Sequence, residues 1–219
     1  IAPGFFDMHV HFREPGREDE ETIETGSRAA AAGGFTGVAC MPNTTPVVEN
    51  QGIVQLVKSR QTAYCGIYPV GAVTKGLECS ELAEMGDMFH AGAVAVSDDG
   101  RPVTNSNLMR RALDYCRMFD IPVISHCEDL FLSADGAMNE GALATRLGLR
   151  GIPNAAESSM AYRDAQLAAL TGGRLHIAHV SCAETVEVVR QAKRRGIKIT
   201  AETCPHYFPL TEEAVIGYS

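Results

Sequence analysis

The sequence predicts an α/β fold, a (β/α)8 TIM-type barrel with about seven of its eight strands inside the 219 residues. Three observations lead there. Short β-like runs alternate with helical runs seven times, and repeated β-α units imply a parallel sheet. No composition break, internal repeat or low-complexity tract divides the chain, so residues 1–219 read as one domain. The alternative, a doubly wound sheet, should follow its first strand with Gly-x-Gly-x-x-Gly. Here that strand runs into His9-Val10-His11-Phe12-Arg13.

The elements follow in order. Phe5 to Val10 reads as a strand, and Glu20 to Ala32 as a helix stopped by Gly33-Gly34. Thr36 to Met41 is the second strand, ended by Pro42-Asn43, and Asn50 to Arg60 is helical. Cys65 to Val73 is the third strand. Ser80 to Ala91 is a helix with Leu82, Met85 and Phe89 on one face. Ala93 to Ser97 is the fourth strand, closed by the turn Asp98-Asp99-Gly100, and Asn107 to Phe119 is helical. Pro122 to Ser125, Leu175 to Ala178 and Lys198 to Glu202 complete the strands. Helices at Ala155 to Leu170 and Ala183 to Arg195 lie between the last three. Asp129 to Asn154 is glycine-rich and reads as a long loop beside the active site.

Composition narrows the function classes. Hydrophobic residues make up 45% and charged residues 21% of the chain, ordinary values for a globular protein. No apolar run reaches membrane-span length, and Ile1-Ala2-Pro3-Gly4 does not open like a signal peptide. A formal net charge of −8 argues against nucleic acid and anionic membrane as partners. The seven cysteines are odd in number and contain no CxxC pair. They read mostly as small buried hydrophobes in a reducing cytoplasm.

In barrels of this kind the chemistry sits at the C-terminal ends of the strands. His9 and His11 end the first strand, Asp98 and Asp99 follow the fourth, His126 ends the fifth and His179 the sixth. Residues two apart on a strand point the same way, so His9 and His11 can face one ion. A lone His-x-His is also explained by exposure or packing, but the later strand ends add two imidazoles and an acidic pair. That donor set suits zinc, with manganese, cobalt or iron as weaker options. Asp98-Asp99 also fits an Asx-capped turn. Strand parity turns Asp99 into the mouth if Val94 and Val96 pack on helices. Arg13 has the fork geometry for a carboxylate, or else forms a surface ion pair with Glu14 or Glu18. Asn43 ends the second strand, or simply turns the chain after Pro42. Asp7, two residues below His9, is placed to orient an imidazole from beneath. Glu128 and Asp129 either do the same for His126 or are solvated. His176, three residues before His179, is expected to face the other way as a packed, hydrogen-bonded histidine.

Together these residues resemble type I dihydroorotases of the cyclic amidohydrolase family. Phe6-Asp7-Met8-His9-Val10-His11-Phe12-Arg13-Glu14-Pro15-Gly16 is similar to their His-x-His-x-Arg-x-Pro-Gly opening. Met41-Pro42-Asn43-Thr44, Ser97-Asp98-Asp99-Gly100-Arg101-Pro102-Val103, Ser125-His126-Cys127-Glu128-Asp129, His176-Ile177-Ala178-His179-Val180-Ser181 and Glu202-Thr203-Cys204-Pro205-His206-Tyr207 continue the pattern in order. The resemblance implies metal ligands at His9, His11, Asp99, His126 and His179, holding one or two zinc ions. It assigns Arg13 and Asn43 to the substrate carboxylate. Where many relatives carry a carboxylated lysine after the fourth strand, no lysine occurs between Lys75 and Lys193, and the match falls on Asp99.

The implied reaction is reversible hydrolysis of dihydroorotate, a cyclic amide, to N-carbamoyl-aspartate in pyrimidine biosynthesis, by water that a metal activates. The implied partners are this small-molecule substrate, further copies of the chain, and aspartate transcarbamoylase. Other cyclic amidases, of allantoinase or hydantoinase type, stay open, although allantoinases usually lack the arginine at position 13. A non-catalytic scaffold for aspartate transcarbamoylase also stays open; the presence of all four histidines and Asp99 speaks against it. The resemblance places the catalytic acid-base aspartate after an eighth strand and adds a flanking β-domain. Neither is among these residues, so the sequence reads as a fragment, and the isolated piece is expected to be catalytically weak or inactive.

Overall fold

The computed structural model describes residues 1–59 and 64–217. The elements in chain order are β1 (Phe5–Val10), α1 (Ile23–Ala32), β2 (Phe35–Cys40), α2 (Gln51–Ser59), β3 (Gly66–Gly71), α3 (Met85–Ala91), β4 (Ala95–Ser97), α4 (Ser106–Cys116), β5 (Pro122–Ser125), α5 (Leu130–Ser133), β6 (Met138–Asn139), α6 (Ala142–Leu147), β7 (Gly151–Ile152), α7 (Ala155–Thr171), β8 (Arg174–Ile177), α8 (Ala183–Arg194) and β9 (Ile199–Ala201). Seven strands form one parallel sheet in the order β1-β2-β3-β4-β5-β8-β9. This order never doubles back, so the sheet has no switch point of the doubly wound kind. It curls instead: His9 on β1 and Glu202 just past β9, at opposite ends of the sheet, meet at 2.6 Å. The fold is the (β/α) barrel type that the β-α alternation predicts, with seven strands in one curled parallel sheet.

Alternation along each strand divides two cores. Val38, Cys40, Val96, Val123, Leu175 and Ile177 face outward and pack on the helices. Ala39, Met41, Val70, Ala95, Ile124 and Ala178 face inward and pack on one another. The inner set mixes three alanines with Met41, Val70 and Ile124.

Helix starts differ from the sequence expectations where a cap or a loop contact decides. α1 begins at Ile23, because Thr22 accepts the N–H of Thr25 while the Thr25 hydroxyl accepts the N–H of Thr22. α3 begins at Met85 instead of Ser80. Leu82 bridges Thr74, and Ala83 donates to the Val73 carbonyl, which keeps residues 80–84 out of the helix. α4 starts from the Asn105 cap and tightens into a 3-10 turn at Arg117–Phe119. The end expected for the second helix, Arg60, lies outside the described residues.

The stretch from Asp129 to Asn154 is not a plain loop. It folds into α5, α6 and the short parallel pair β6–β7, with Met138, Leu143 and Ala144 forming a small core of their own. All seven cysteines are free thiols and five are buried, as expected of small hydrophobes. Burial pushes the Cys40 and Cys116 thiols up to about 12.

Candidate metal centre

The first strand carries an irregularity that the two-residue period hides. Asp7 sits opposite Val38 and Val10 opposite Cys40, three steps on β1 against two on β2. Such a bulge reverses the alternation. Asp7 and Val10 therefore share the outer face, and His9 and His11 turn inward. Asp7 accepts the backbone N–H of His9 at 3.0 Å. It braces the bulge and does not reach the ring, a correction to the expected role beneath the imidazole. Phe12 is buried against α1, where a Cβ on Gly26 would come within 2.3 Å of its ring. That contact anchors the segment carrying His11 and Arg13.

After β4 the parity argument resolves the acidic pair. Val96 packs on the helices and Ala95 faces inward. Asp98 points outward, accepting the N–H groups of Val73 at 2.8 Å and Thr74 at 3.0 Å and the Thr74 hydroxyl. Asp99 points inward and is 4% exposed. Its Oδ1 lies 3.3 Å from His9 Nε2, 3.5 Å from His126 Nδ1 and 3.5 Å from His179 Nε2. Its Oδ2 lies 3.3 Å from His11 Nε2. His179 reaches the cluster because its φ of +35° turns the chain just past β8. The expected ligand set, His9, His11, Asp99, His126 and His179, thus converges in space, as two triads that share Asp99.

Three of the four rings are anchored on their far nitrogen. His9 Nδ1 donates to Glu202 Oε1 at 2.6 Å, and His11 Nδ1 donates to Asn43 Oδ1 at 2.9 Å. His126 Nε2 donates to Glu128 Oε2 at 3.1 Å. Asn43 therefore holds an imidazole in this arrangement. Arg13, with φ +58° and a side chain 37% exposed, pairs with Glu20 at 3.4 Å. Exposed pairs of this kind are weak, so its guanidinium can be recruited by a ligand.

His176 corrects a second parity expectation. Like Ala178 it faces inward, because the turn at His179 breaks the alternation beyond the strand. It is buried and bonds Thr200 Oγ1 through Nδ1 at 2.8 Å, a packed, hydrogen-bonded histidine as expected. Glu202 is a side chain of the cluster that strand-end reasoning overlooked. It lies two residues past Thr200 on the inward face, at the strand end where the other ligands were sought.

The electrostatics describe a tightly coupled cluster. Burial pushes His9 down, but hydrogen bonds and charge from Asp99 and Glu202 outweigh it and raise the ring to about 9. His11 is lowered, chiefly by burial. Burial pushes Asp99 up, yet His126, His179 and His9 hold it far below the carboxylate range. Burial likewise opposes His176 and His9 at Glu202, which ends near 2. A group raised in the folded state stabilises below its unfolded value and stops doing so above its folded one. Chelator-treated protein is therefore expected to lose on the order of 3 kcal/mol between pH 6.5 and about 9 as His9 deprotonates. Urea unfolding across that window checks this; His9→Asn should flatten the slope, and an equally steep slope in that variant would exclude His9 as its source.

The donor set fits a metal ion. Asp99 Oδ1 is buried and makes no hydrogen bond, although three ring nitrogens surround it. Ligands about 2.1 Å from a tetrahedral zinc stand about 3.4 Å apart, which matches the 3.3–3.5 Å separations around Asp99. The exception is the pair His126 Nδ1 and His179 Nε2, at 2.9 Å. Those rings must spread by about half an ångström to share an ion. Beside the cluster opens a cavity of ≈ 400 Å³ lined by His126, Glu128, His179 and Tyr207. Asn139, Ile152, Pro153 and Asn154 form its other wall, so the 129–154 stretch does border the site.

A family model described as dihydro-orotase-like matches residues 1–185. A dihydroorotase of Syntrophotalea carbinolica is 58% identical over 220 residues, covering all of this chain and 52% of that protein. One from Pelotomaculum thermopropionicum is 58% identical over 224 residues, covering all of this chain and 51% of that protein. The chain thus spans about half the length of these relatives. Among solved structures, an L-hydantoinase from Arthrobacter aurescens superposes with a TM-score of 0.78 at 22% identity, over 96% of this chain and 49% of that one. This likeness concerns the fold alone. No described helix is long and apolar enough to cross a membrane. By its sequence over 185 of 219 residues, the chain belongs to the dihydro-orotase-like family.

Proposed function

We propose that the chain carries the metal-binding part of a zinc-dependent dihydroorotase, which interconverts dihydroorotate and N-carbamoyl-aspartate. The observation that carries the reading is the convergence of four imidazoles on one buried carboxylate, with an arginine two residues past the histidine pair. His9, His11, Asp99, His126 and His179 would hold one or two ions, Asp99 being common to both triads. When bound, zinc supplies Lewis acidity and lowers the pKa of water toward neutrality.

The chain's own residues prepare the rest. Glu202, Asn43 and Glu128 fix the orientation of three rings, so each keeps one nitrogen aimed at Asp99. Arg13 leaves Glu20 to take the substrate carboxylate, and Asn43 offers its amide beside it. The neighbouring cavity receives the ring, with residues of the 129–154 stretch as one wall. The small-molecule partner is the anionic cyclic amide. Self-association and aspartate transcarbamoylase as a partner are supported by the family resemblance, and a cytoplasmic setting by that resemblance and the seven free thiols.

Arg13→Met tests the substrate assignment, in this chain and in the chain extended to the length of its relatives. A charge-assisted contact is worth about 1.5–3 kcal/mol. The KM for dihydroorotate should rise roughly 10- to 100-fold, while that for an uncharged cyclic amide stays within about twofold. Equal effects on both substrates would remove the carboxylate from the reading.

A further inference from the structure

Below the ligands runs a string of inward-facing polar groups, Glu202, His176 and Thr200. The Glu202 carboxylate divides between two rings. Its Oε1 takes His9 Nδ1 at 2.6 Å, and its Oε2 lies 3.5 Å from His176 Nε2. His176 is 1% exposed, and its Nε2 makes no hydrogen bond of good geometry. Its Nδ1 meets Thr200 Oγ1 at 2.8 Å.

Proton placement follows from charge. If Thr200 accepted from Nδ1, Nε2 would turn a bare lone pair onto a carboxylate oxygen, a repulsive contact in a buried place. The favoured arrangement has the Thr200 hydroxyl donating to Nδ1 and His176 Nε2–H directed at Glu202. Glu202 is then held from below and keeps its other oxygen for His9. That oxygen demands a proton on His9 Nδ1, which leaves Nε2, facing Asp99, as the nitrogen that would give up its proton to a metal. The neighbouring ring, His11, rests on a neutral amide, Asn43. A carboxylate partner gives His9 the stronger anchor and makes its ring the more electron-rich donor.

We infer that Glu202, braced by His176 and Thr200, is the positioning residue that fixes the His9 tautomer and sets the strength with which the centre holds its metal. The inference rests on the metal reading above, and the test separates the two.

Two measurements are made on wild-type protein and on Glu202→Leu, Glu202→Gln and His176→Phe. One is the zinc dissociation constant by chelator competition, with the visible spectrum of the cobalt(II) form as a check on ligand geometry. The other is NMR of chelator-treated protein, in which a proton held between His9 Nδ1 and Glu202 gives a slowly exchanging, far-downfield imidazole resonance. Glu202→Leu should weaken zinc binding roughly 10- to 100-fold and abolish that resonance. Glu202→Gln keeps an acceptor oxygen and should retain the resonance, with a smaller loss of affinity. His176→Phe should keep the resonance but speed its exchange, since the brace is gone.

A wild-type chain that binds no zinc yet loses the resonance in Glu202→Leu would sink the metal reading and leave the His9–Glu202 hydrogen bond standing. A resonance unchanged in Glu202→Leu, or zinc affinity within about threefold of a zinc-binding wild type, would overturn the positioning role. Urea unfolding of each variant at the same pH guards against a mere loss of fold.

Discussion

Replacing Asp99 with alanine should remove metal binding while leaving the barrel folded, and replacing Asp98, its neighbour, should destabilise the fold while leaving the metal ligands in place. The two carboxylates are adjacent in sequence and face opposite sides of the sheet. Asp99 is common to both ligand triads, so its loss takes a donor from every arrangement the cluster can offer. It also deletes the anion that offsets the nearby rings. Losing an outer-shell partner alone typically costs 10- to 100-fold in metal affinity, so losing this shared ligand should cost more than about 100-fold. Asp98 accepts three bonds from Val73 and Thr74 that hold the loop after β3. Its alanine variant leaves two buried N–H groups unpaired, at about 1–3 kcal/mol each. Elemental analysis after dialysis, combined with urea unfolding, distinguishes the pair. Zinc retained by Asp99→Ala and lost from Asp98→Ala would reverse the assignment.

The difference between these neighbours shows what a sequence can and cannot display. Strand parity turns Asp99 inward if Val94 and Val96 pack on helices; Val96 does, Val94 is exposed just before β4, and the short, regular strand keeps the direction. The same reasoning misplaces Asp7, because a bulge between Asp7 and Val10 inserts a residue with no mark in the sequence. It misplaces His176 as well. There the alternation holds along β8, and it is His179 that leaves it through a left-handed turn. The β-α alternation and the strand-end histidines are legible because apolar runs and turn residues are local signals. Ring anchoring is not local. Glu202 meets His9 from 193 positions away, so the contact exists only once the sheet curls. The 129–154 stretch reads as a loop because its strands are two residues long, too short to show a period.

A second large effect lies outside the metal cluster, in a buried ion pair that no motif advertises. Asp164 on α7 is fully buried. It accepts from Ser125 Oγ at 2.6 Å, and from Arg163 through Nε at 2.8 Å and Nη2 at 2.7 Å. Arg163 in turn donates to the carbonyls of Thr104 at 3.0 Å and Val103 at 2.8 Å. One side chain pair thus ties α7 to the residue before His126 and to the loop that follows Asp99. Burial pushes the Asp164 carboxyl up against the pull of Arg163 and Ser125, so desolvation cancels much of the attraction. Such a pair adds little net stability over a well-packed apolar one, but breaking it strands a charge. Asp164→Ala is expected to cost about 3–5 kcal/mol, a large share of the roughly 5–15 kcal/mol available to a domain. Asp164→Asn keeps an acceptor for Ser125 and should cost less. The double change Arg163→Met with Asp164→Leu should recover most of the loss, since no charge then remains to be desolvated. Urea unfolding midpoints measure all three. A single alanine variant within about 1 kcal/mol of wild type would show that water reaches Arg163 and that the clamp is not sealed.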